Sequence, residues 1–308
     1  MHLEGLHHVT AITADAQRNV DFYVGVLGLR LVKKSVNQDD PTVYHLFYGD
    51  EEGSPGADLT FFEYPGAARG SAGTGMVHRI AWRVGSPAAL DFWKERLSAA
   101  GVEAELRERS LHFADPEGLE HELQVYEGDE EPRAAQAPDI PTEHALLGFA
   151  GVRAYSDAPA TSDQLLAEGM GFESTGEGDW SVAGPSRSSF YVYDSPPSEP
   201  GRSGAGTVHH VAFATEMDDH EAWRERVAGK GARPTPVIDR FYFRSIYFRE
   251  PSGVLFELAT KGPGFAVDEP PETLGERLAL PPNYEQYRDE LEQKLTPLPN
   301  PRTRAAAG

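Results

Sequence analysis

A pair of adjacent histidines occurs twice in this chain in the same local setting, as Leu6-His7-His8-Val9 and again as Val208-His209-His210-Val211. Downstream of the second pair, Tyr247-Phe248-Arg249-Glu250-Pro251-Ser252-Gly253-Val254-Leu255-Phe256-Glu257 reads as a strand, a tight turn and a strand that delivers a carboxylate. Two imidazoles and one carboxylate arriving from strands are the donors of a three-ligand metal site with open positions. The chain has no cysteine, which confines any such site to histidine, carboxylate and water. A lone histidine at a strand start is more often a hydrogen-bonded core residue than a ligand. Repetition in register, with a carboxylate at a matching strand end, lifts this set above that reading.

The elements that must position these groups repeat along the chain. Unit one runs from about Gly5 to Tyr64: a strand from His8 to Thr13, a helix from Ala16 to Leu27, then strands near Val43 to Tyr48 and Leu59 to Tyr64. Its helix is entered through Asp15 and left at Gly28, as cap preferences expect. Unit two opens at Val77, has a helix near Pro87 to Ala100 and ends at Leu123; unit three opens at Leu147, with a helix near Ala160 to Gly169. Unit four opens at Val208, has its helix near His220 to Lys230 and closes at Phe256-Glu257-Leu258. The pattern predicts an α+β fold of four βαβββ units whose paired, curved mixed sheets form two domains, because one unit is too small to close a core alone. The predicted boundaries are residues 1–127 and 145–262, with 128–144 as an acidic, Pro-rich linker and 263–308 as a tail. A Pro/Ser/Gly loop separates units three and four at Ser195 to Gly206; the tail carries a helix from Asn283 to Leu295 and partial disorder from Asn300 to Gly308.

Aligning the units on their first strands separates the chemistry from the scaffold. His8 and His210 share one position, where unit two has Arg79 and unit three Gly151. Glu257 follows Gly253 by four positions as Glu122 follows Gly118, whereas the same count from Gly56 reaches Thr60. If unit one faces unit four, one cavity receives His8, His210 and Glu257. The other receives Arg79, Gly151 and Glu122, which cannot hold a divalent metal; Glu122 is expected to pair with Arg79. A 2-His-1-carboxylate set leaves about three coordination positions for substrate and dioxygen, as in non-haem Fe(II) oxygenases, and Thr60 removes the fourth carboxylate of a closed Lewis-acid site.

Strand alternation turns His7 to the opposite face from His8 unless a bulge intervenes, and His209 is its repeat counterpart, either beside the metal or packed away. Arg240 is suited to a developing negative charge or, alternatively, to a salt bridge with Asp239 or another acid. Phe241-Tyr242-Phe243 reads equally as apolar walls for a planar ring or as a core strand. Alternation cannot place Tyr247, since a turn separates it from Glu257. His45, His78 and His112 are read as structural.

Composition bounds the partners. The 308 residues carry 49 acids against 28 bases, a formal charge of -21, which argues against nucleic acid. That balance suits either a halophilic protein or an ordinary acidic enzyme. With 39% hydrophobic residues, no run of membrane-spanning length, and an opening Met1-His2-Leu3-Glu4 with neither basic nor apolar signal character, the expectation is a soluble cytoplasmic protein without membrane partners.

These residues resemble the vicinal-oxygen-chelate superfamily, which contains glyoxalase I, fosfomycin-resistance proteins and type I extradiol dioxygenases. Tyr247-x-x-Glu250-Pro251-x-Gly253-x-x-x-Glu257 is similar to the extradiol signature, whose Tyr is an active-site acid and whose Glu is an iron ligand. The signature normally carries a His several residues before the Tyr; here that neighbourhood has Arg240. From LHHVT through GVLFELAT to GERLALPPNYE, about residues 4–296, the chain resembles the ring-cleaving branch that includes hydroquinone 1,2-dioxygenases. The resemblance implies Fe(II), with Mn, Ni or Zn as alternatives, on His8, His210 and Glu257, and roles beside the metal for His7, Arg240 and Tyr247. The reaction it implies is insertion of dioxygen into a hydroquinone- or catechol-like ring, with homo-oligomerisation left open. A glyoxalase-type isomerase or lyase and a metal-free binding protein are the rival expectations.

Overall fold

The computed structural model describes residues 1–299, so the disorder expected from Asn300 to Gly308 lies outside the described residues. Unit one comprises β1 (Leu6–Thr13), α1 (Ala16–Val20, continued by a π-helical turn, Asp21–Val26), β2 (Arg30–Val36), β3 (Tyr44–Gly49) and β4 (Asp58–Glu63). Unit two comprises β5 (Val77–Val84), α2 (Pro87–Ala99), β6 (Ala104–Arg107), β7 (Ser110–Ala114) and β8 (Glu120–Val125). Unit three has β9 (Phe149–Tyr155), β10 (Glu173–Gly176), β11 (Asp179–Ala183) and β12 (Ser188–Asp194). Where a helix was expected, unit three has a 3-10 turn (Pro159–Ser162) and a π-helical turn (Leu165–Met170) that ends at Gly171 with φ +75°. Unit four comprises β13 (Val208–Thr215), α3 (His220–Ala228), β14 (Ile238–Asp239), β15 (Arg244–Arg249) and β16 (Leu255–Thr260).

Local chemistry accounts for these boundaries. Asp15 accepts from the Arg18 amide at the start of α1, and Ser86 accepts from the Ala89 amide at the start of α2, with Pro87 in the first turn where no N–H is needed. Leu90, Trp93 and Leu97 recur at helical spacing and are all buried against the sheets.

Each unit leaves its first strand as an open edge, and the edges join in pairs. One eight-stranded sheet runs β14-β15-β16-β13-β1-β4-β3-β2 and the other β10-β11-β12-β9-β5-β8-β7-β6. The sheets therefore unite unit one with unit four and unit two with unit three, across the 128–144 segment rather than within the sequential halves. Consecutive units meet instead through their buried faces. The Trp82 indole donates to His121 Nδ1 (3.1 Å), His121 Nε2 donates to the Tyr23 hydroxyl (3.0 Å), and Tyr23 donates to Asp115 (3.0 Å), tying the helical turn of unit one to unit two. In the other half the Tyr193 hydroxyl of unit three donates to Glu250 of unit four at 2.8 Å.

The tail closes the first sheet in two ways. Phe265 and Leu274 pack under it against Val32, Phe47, Tyr242 and Phe243. Further on, Ala279 N donates to Lys34 O (2.9 Å), Lys34 Nζ to Leu298 O (2.7 Å) and the Tyr44 hydroxyl to Thr296 O (2.8 Å), covering the edge strand β2 along with α4 (Arg288–Lys294). The fully buried Lys33 ammonium clasps the tail through Asp268 (2.8 Å) and Glu269. None of the described helices is long and apolar enough to cross a membrane.

Breaking the Lys33 clasp leaves the buried Glu269 carboxylate with Arg277, at 3.5 Å, as its remaining ion-pair partner among the described residues. Lys33→Ala should cost about 3 kcal/mol in urea unfolding, and the double change Lys33→Met with Glu269→Leu should recover most of it, because the pair's desolvation offsets its attraction.

Candidate metal centre

β1 and β13 run antiparallel at the middle of their sheet, with His8 opposite Ala212 and Thr10 opposite His210. Ala212 pairs in turn with Glu257 on β16, and Glu257 with Tyr247 on β15. His8, Ala212, Glu257 and Tyr247 thus form one row across four strands. Ala212 in the middle is small enough for the side chains on either side to converge. Gly253, at φ +112°, makes the turn that starts β16, and Glu250 accepts from the amides of Ser252 (2.8 Å) and Val254 (2.9 Å) to close it.

The three expected ligands meet. His8 Nε2 lies 3.2 Å from His210 Nε2 and 3.2 Å from Glu257 Oε2, and His210 Nε2 lies 2.9 Å from Glu257 Oε2. Around a cation held at about 2.1 Å, cis donors of an octahedron stand about 3.0 Å apart, so these edges match one face of that polyhedron. Glu257 is fully buried, yet its Oε2 has no hydrogen-bond donor in line. A buried carboxylate oxygen aimed between two imidazole nitrogens and satisfied by neither fits a cation as its partner. His8, His210 and Glu257 are the only such metal-capable cluster among the described residues.

Hydrogen bonds outside the trio set its tautomers. His8 Nδ1 lies 2.9 Å from His7 Nδ1, and His7 Nε2 lies 3.1 Å from the Thr260 carbonyl oxygen. The carbonyl only accepts, so His7 carries its proton on Nε2, its Nδ1 accepts from His8, and the His8 Nε2 lone pair is free for metal. His210 Nδ1 likewise lies 2.8 Å from His209 Nδ1. Both outer histidines are the extra residue of a bulge: Leu6 and His8 oppose the consecutive Phe213 and Ala212, while Thr10 and Ala11 oppose His210 and Val208. The bulge, not alternation, decides where His7 points. Ser245 donates to the other Glu257 oxygen, Oε1, at 2.5 Å.

Burial favours the metal-ready protonation states. It lowers the His210 imidazole below its ordinary value, takes His7 down to about 3 and His209 to about 4, and keeps all three neutral at neutral pH. Burial alone would raise Glu257, but the facing His8 and His210 outweigh it and hold the carboxyl well below the usual range.

A cavity of about 290 Å³ opens on this centre, lined by Tyr242, Phe243, Phe47 and Phe62, by the polar groups of Arg240, Tyr247 and His45, and by His8, His209 and His210. Tyr247 Oη lies 3.3 Å from Arg240 Nε, and burial raises the phenol above its ordinary value. Arg240 is held by both Asp39 carboxylate oxygens at 3.0 Å. The ion pair foreseen for Arg240 thus exists, with an acid of unit one, and the same guanidinium lines the cavity. Tyr242 and Phe243 supply apolar wall, while Phe241 takes the turn before them at φ +70°. Five groups were not foreseen. Ser245 and the Thr260 carbonyl carry no sequence signal. Thr10, which shares the face of His8 and lies 2.9 Å from His210 Nε2, was accessible by alternation, as was His45 with Phe47 on β3.

In the second sheet the equivalent position is closed to metal. A Cβ on Gly151 would come 2.4 Å from the Phe190 carbonyl oxygen, which bars an imidazole there. The expected Arg79–Glu122 ion pair is present but long, at 3.9 Å; Arg79 bonds Glu120 more closely (2.7 Å), and Glu122 also accepts from Gln124. In β8, Glu120 and Glu122 point along the same face, and the guanidinium takes the nearer.

The fold agrees with the relationships of the chain. It belongs to the glyoxalase/bleomycin resistance protein/dioxygenase superfamily, whose family model matches residues 5–123 and 107–258. It is 42% identical over 302 residues to Bacillus subtilis (strain 168) MhqO, named as a ring-cleaving dioxygenase, with 95% of this chain and 96% of the relative covered. To the chlorohydroquinone/hydroquinone 1,2-dioxygenase of Sphingobium indicum it is 35% identical over 308 residues, covering 94% and 95%. A crystal structure of a Bacillus subtilis protein named as a dioxygenase superposes with a TM-score of 0.91 at 40% identity, covering 96% of this chain and 98% of that one. Glyoxalase I from Zea mays, at 14% identity and TM-score 0.57 over 83% and 92% of the two chains, shares the fold.

Ser245→Ala should weaken metal binding about 10- to 100-fold without unfolding the protein, measured by competition with a chelator. The His7 shift carries a sign. The unfolded chain takes up a proton near pH 6.5 that the folded His7 refuses until about 3, so His7 favours folding fully above 6.5 and progressively less as pH falls between those values. In metal-free protein, His7→Gln should flatten the loss of stability in that window by about 1.4 kcal/mol per pH unit, read from urea midpoints.

Proposed function

We propose that this protein is an Fe(II)-dependent dioxygenase that cleaves the ring of a hydroquinone- or catechol-like phenol, with the metal on His8, His210 and Glu257. The observation that carries the reading is the three-ligand face, with edges of 2.9–3.2 Å, together with what stands opposite it. Thr60 occupies the place of a fourth carboxylate, its hydroxyl turned to Thr10 at 2.8 Å. A glyoxalase-type centre built on Ni or Zn with four protein ligands lacks its last donor here. A metal-free binding protein leaves the orphaned Glu257 oxygen unexplained.

Bound at this face, iron would supply Lewis acidity and the redox link between an aromatic ring and dioxygen. The rest falls to the chain. His7 and His209 brace the rings of His8 and His210, His7 also sets the tautomer of His8, and Ser245 fixes the carboxylate. Arg240, permanently charged, favours the anionic form of a substrate oxygen brought beside it. Tyr247 stays protonated at working pH because burial raises its phenol, so it can donate from Oη to an oxygen that gains charge. Phe243, Phe47 and Phe62 hold a planar ring and exclude water from the centre.

The test is anaerobic reconstitution with Fe(II), then oxygen consumption across hydroquinones and catechols. One dioxygen per ring opened is expected, and His8→Ala, His210→Ala and Glu257→Ala should each lose both iron and turnover. Iron and rate retained in His8→Ala would overturn the assignment, and isomerase activity with Ni or Zn without oxygen uptake would favour the rival.

A further inference from the structure

His45 stands in the wall of the cavity, on β3 of unit one, outside the ligand set. Its ring is clamped between Phe47 and Phe62, with centroids 3.9 and 4.4 Å away. Its Nε2 lies 3.0 Å from the Thr60 hydroxyl, which is itself held by Thr10. The approximate two-fold relation between units one and four shows what is unusual here. Phe47 pairs with Thr60 and His45 with Phe62 in unit one, as Tyr247 pairs with Glu257 and Ser245 with Ala259 in unit four. His45 therefore occupies the place of Ser245. Both residues bond the side chain on the next strand, but an imidazole has a second polar atom and a serine has none to spare.

That second atom is His45 Nδ1, which makes no hydrogen bond among the described residues. Burial and the neighbouring His8 and His210 keep the ring neutral, so it offers one donor and one acceptor. Whichever role Nε2 plays toward Thr60, Nδ1 has the complementary one, beside the aromatic rings of Phe47 and Phe62. A phenolic hydroxyl, which both donates and accepts, satisfies either. Arg240 and Tyr247 line the same cavity from unit four, so one oxygen of a substrate is provided for on that side, and His45 serves a second oxygen from unit one.

We propose that His45 is the specificity-determining residue of this cavity: it hydrogen-bonds the hydroxyl lying across the ring from the oxygen at the metal, and so selects aromatic diols over monophenols. This rests on the reading of the centre as one that takes phenols. Isothermal titration of Fe(II)-loaded protein without oxygen reads it apart from turnover, using hydroquinone and 4-methylphenol, in which a methyl group replaces the second hydroxyl. Wild-type protein should prefer hydroquinone. His45→Phe should weaken hydroquinone about 2- to 12-fold, the range for one hydrogen bond, and leave 4-methylphenol within about twofold. His45→Leu repeats the comparison without overfilling the wall, and both variants should retain iron, since His45 is not a ligand. An unchanged preference in either variant, equal weakening of both phenols, or loss of iron in both variants would overturn the proposal. If iron-loaded wild-type protein binds neither phenol, the phenol reading itself falls and takes this role with it. If it consumes oxygen with hydroquinone while the variants keep their preference, the role of His45 alone falls.

Discussion

The antiparallel pairing of β1 with β13 is the constraint on which the rest of the molecule depends. Neither strand alone carries a site. Joined edge to edge, they set His8 opposite Ala212 and His210 opposite Thr10, two imidazoles on one concave face separated by a single step of the ladder. Glu257 arrives because β16 lies parallel to β13 and in register with that same Ala212. Backbone hydrogen bonds, which are directional and numerous, thereby hold three side chains at separations near 3 Å with little left to side-chain freedom.

The same junction explains the polar groups around the trio. A bulge on each partner strand inserts one extra residue, and in both cases that residue is a histidine whose Nδ1 meets the Nδ1 of the ligand beside it. The two sides then diverge. On the unit-four side a serine braces a carboxylate; on the unit-one side a histidine braces a threonine. One half presents a charge suited to a cation, and the other presents a neutral surface with hydrogen-bonding capacity. Around a cation held by this set, the asymmetry would leave coordination positions open. In the second sheet the same topology carries an arginine and a glycine at these places, and the glycine lies so close to Phe190 that the backbone itself excludes a ligand.

Much of this was legible from the residues. The repeated His-His pair, the Gly-to-Glu spacing and the mismatched units two and three single out His8, His210 and Glu257 because they are local patterns compared across repeats. What was not legible depends on non-local register. Whether His7 faces in or out turns on a bulge, which alternation cannot reveal. Tyr247 falls beside Glu257 because of the β15–β16 hairpin, and the count across the turn says nothing of that. The facing of unit one with unit four, on which the shared cavity was premised, is the pairing the sheets make, across the Pro-rich segment at 128–144. His45 was set aside because no second imidazole stands next to it in sequence; its partner is a threonine on the neighbouring strand.

The donors lie at residues 8, 210 and 257, near both ends of what the structure describes. A ribosome that has made the first two hundred residues has exposed one imidazole with nothing to complete a chelate. A cation held by this set would therefore be chosen by the finished, folded protein, at whatever free metal concentrations the cell maintains, and not captured by the emerging polypeptide during translation.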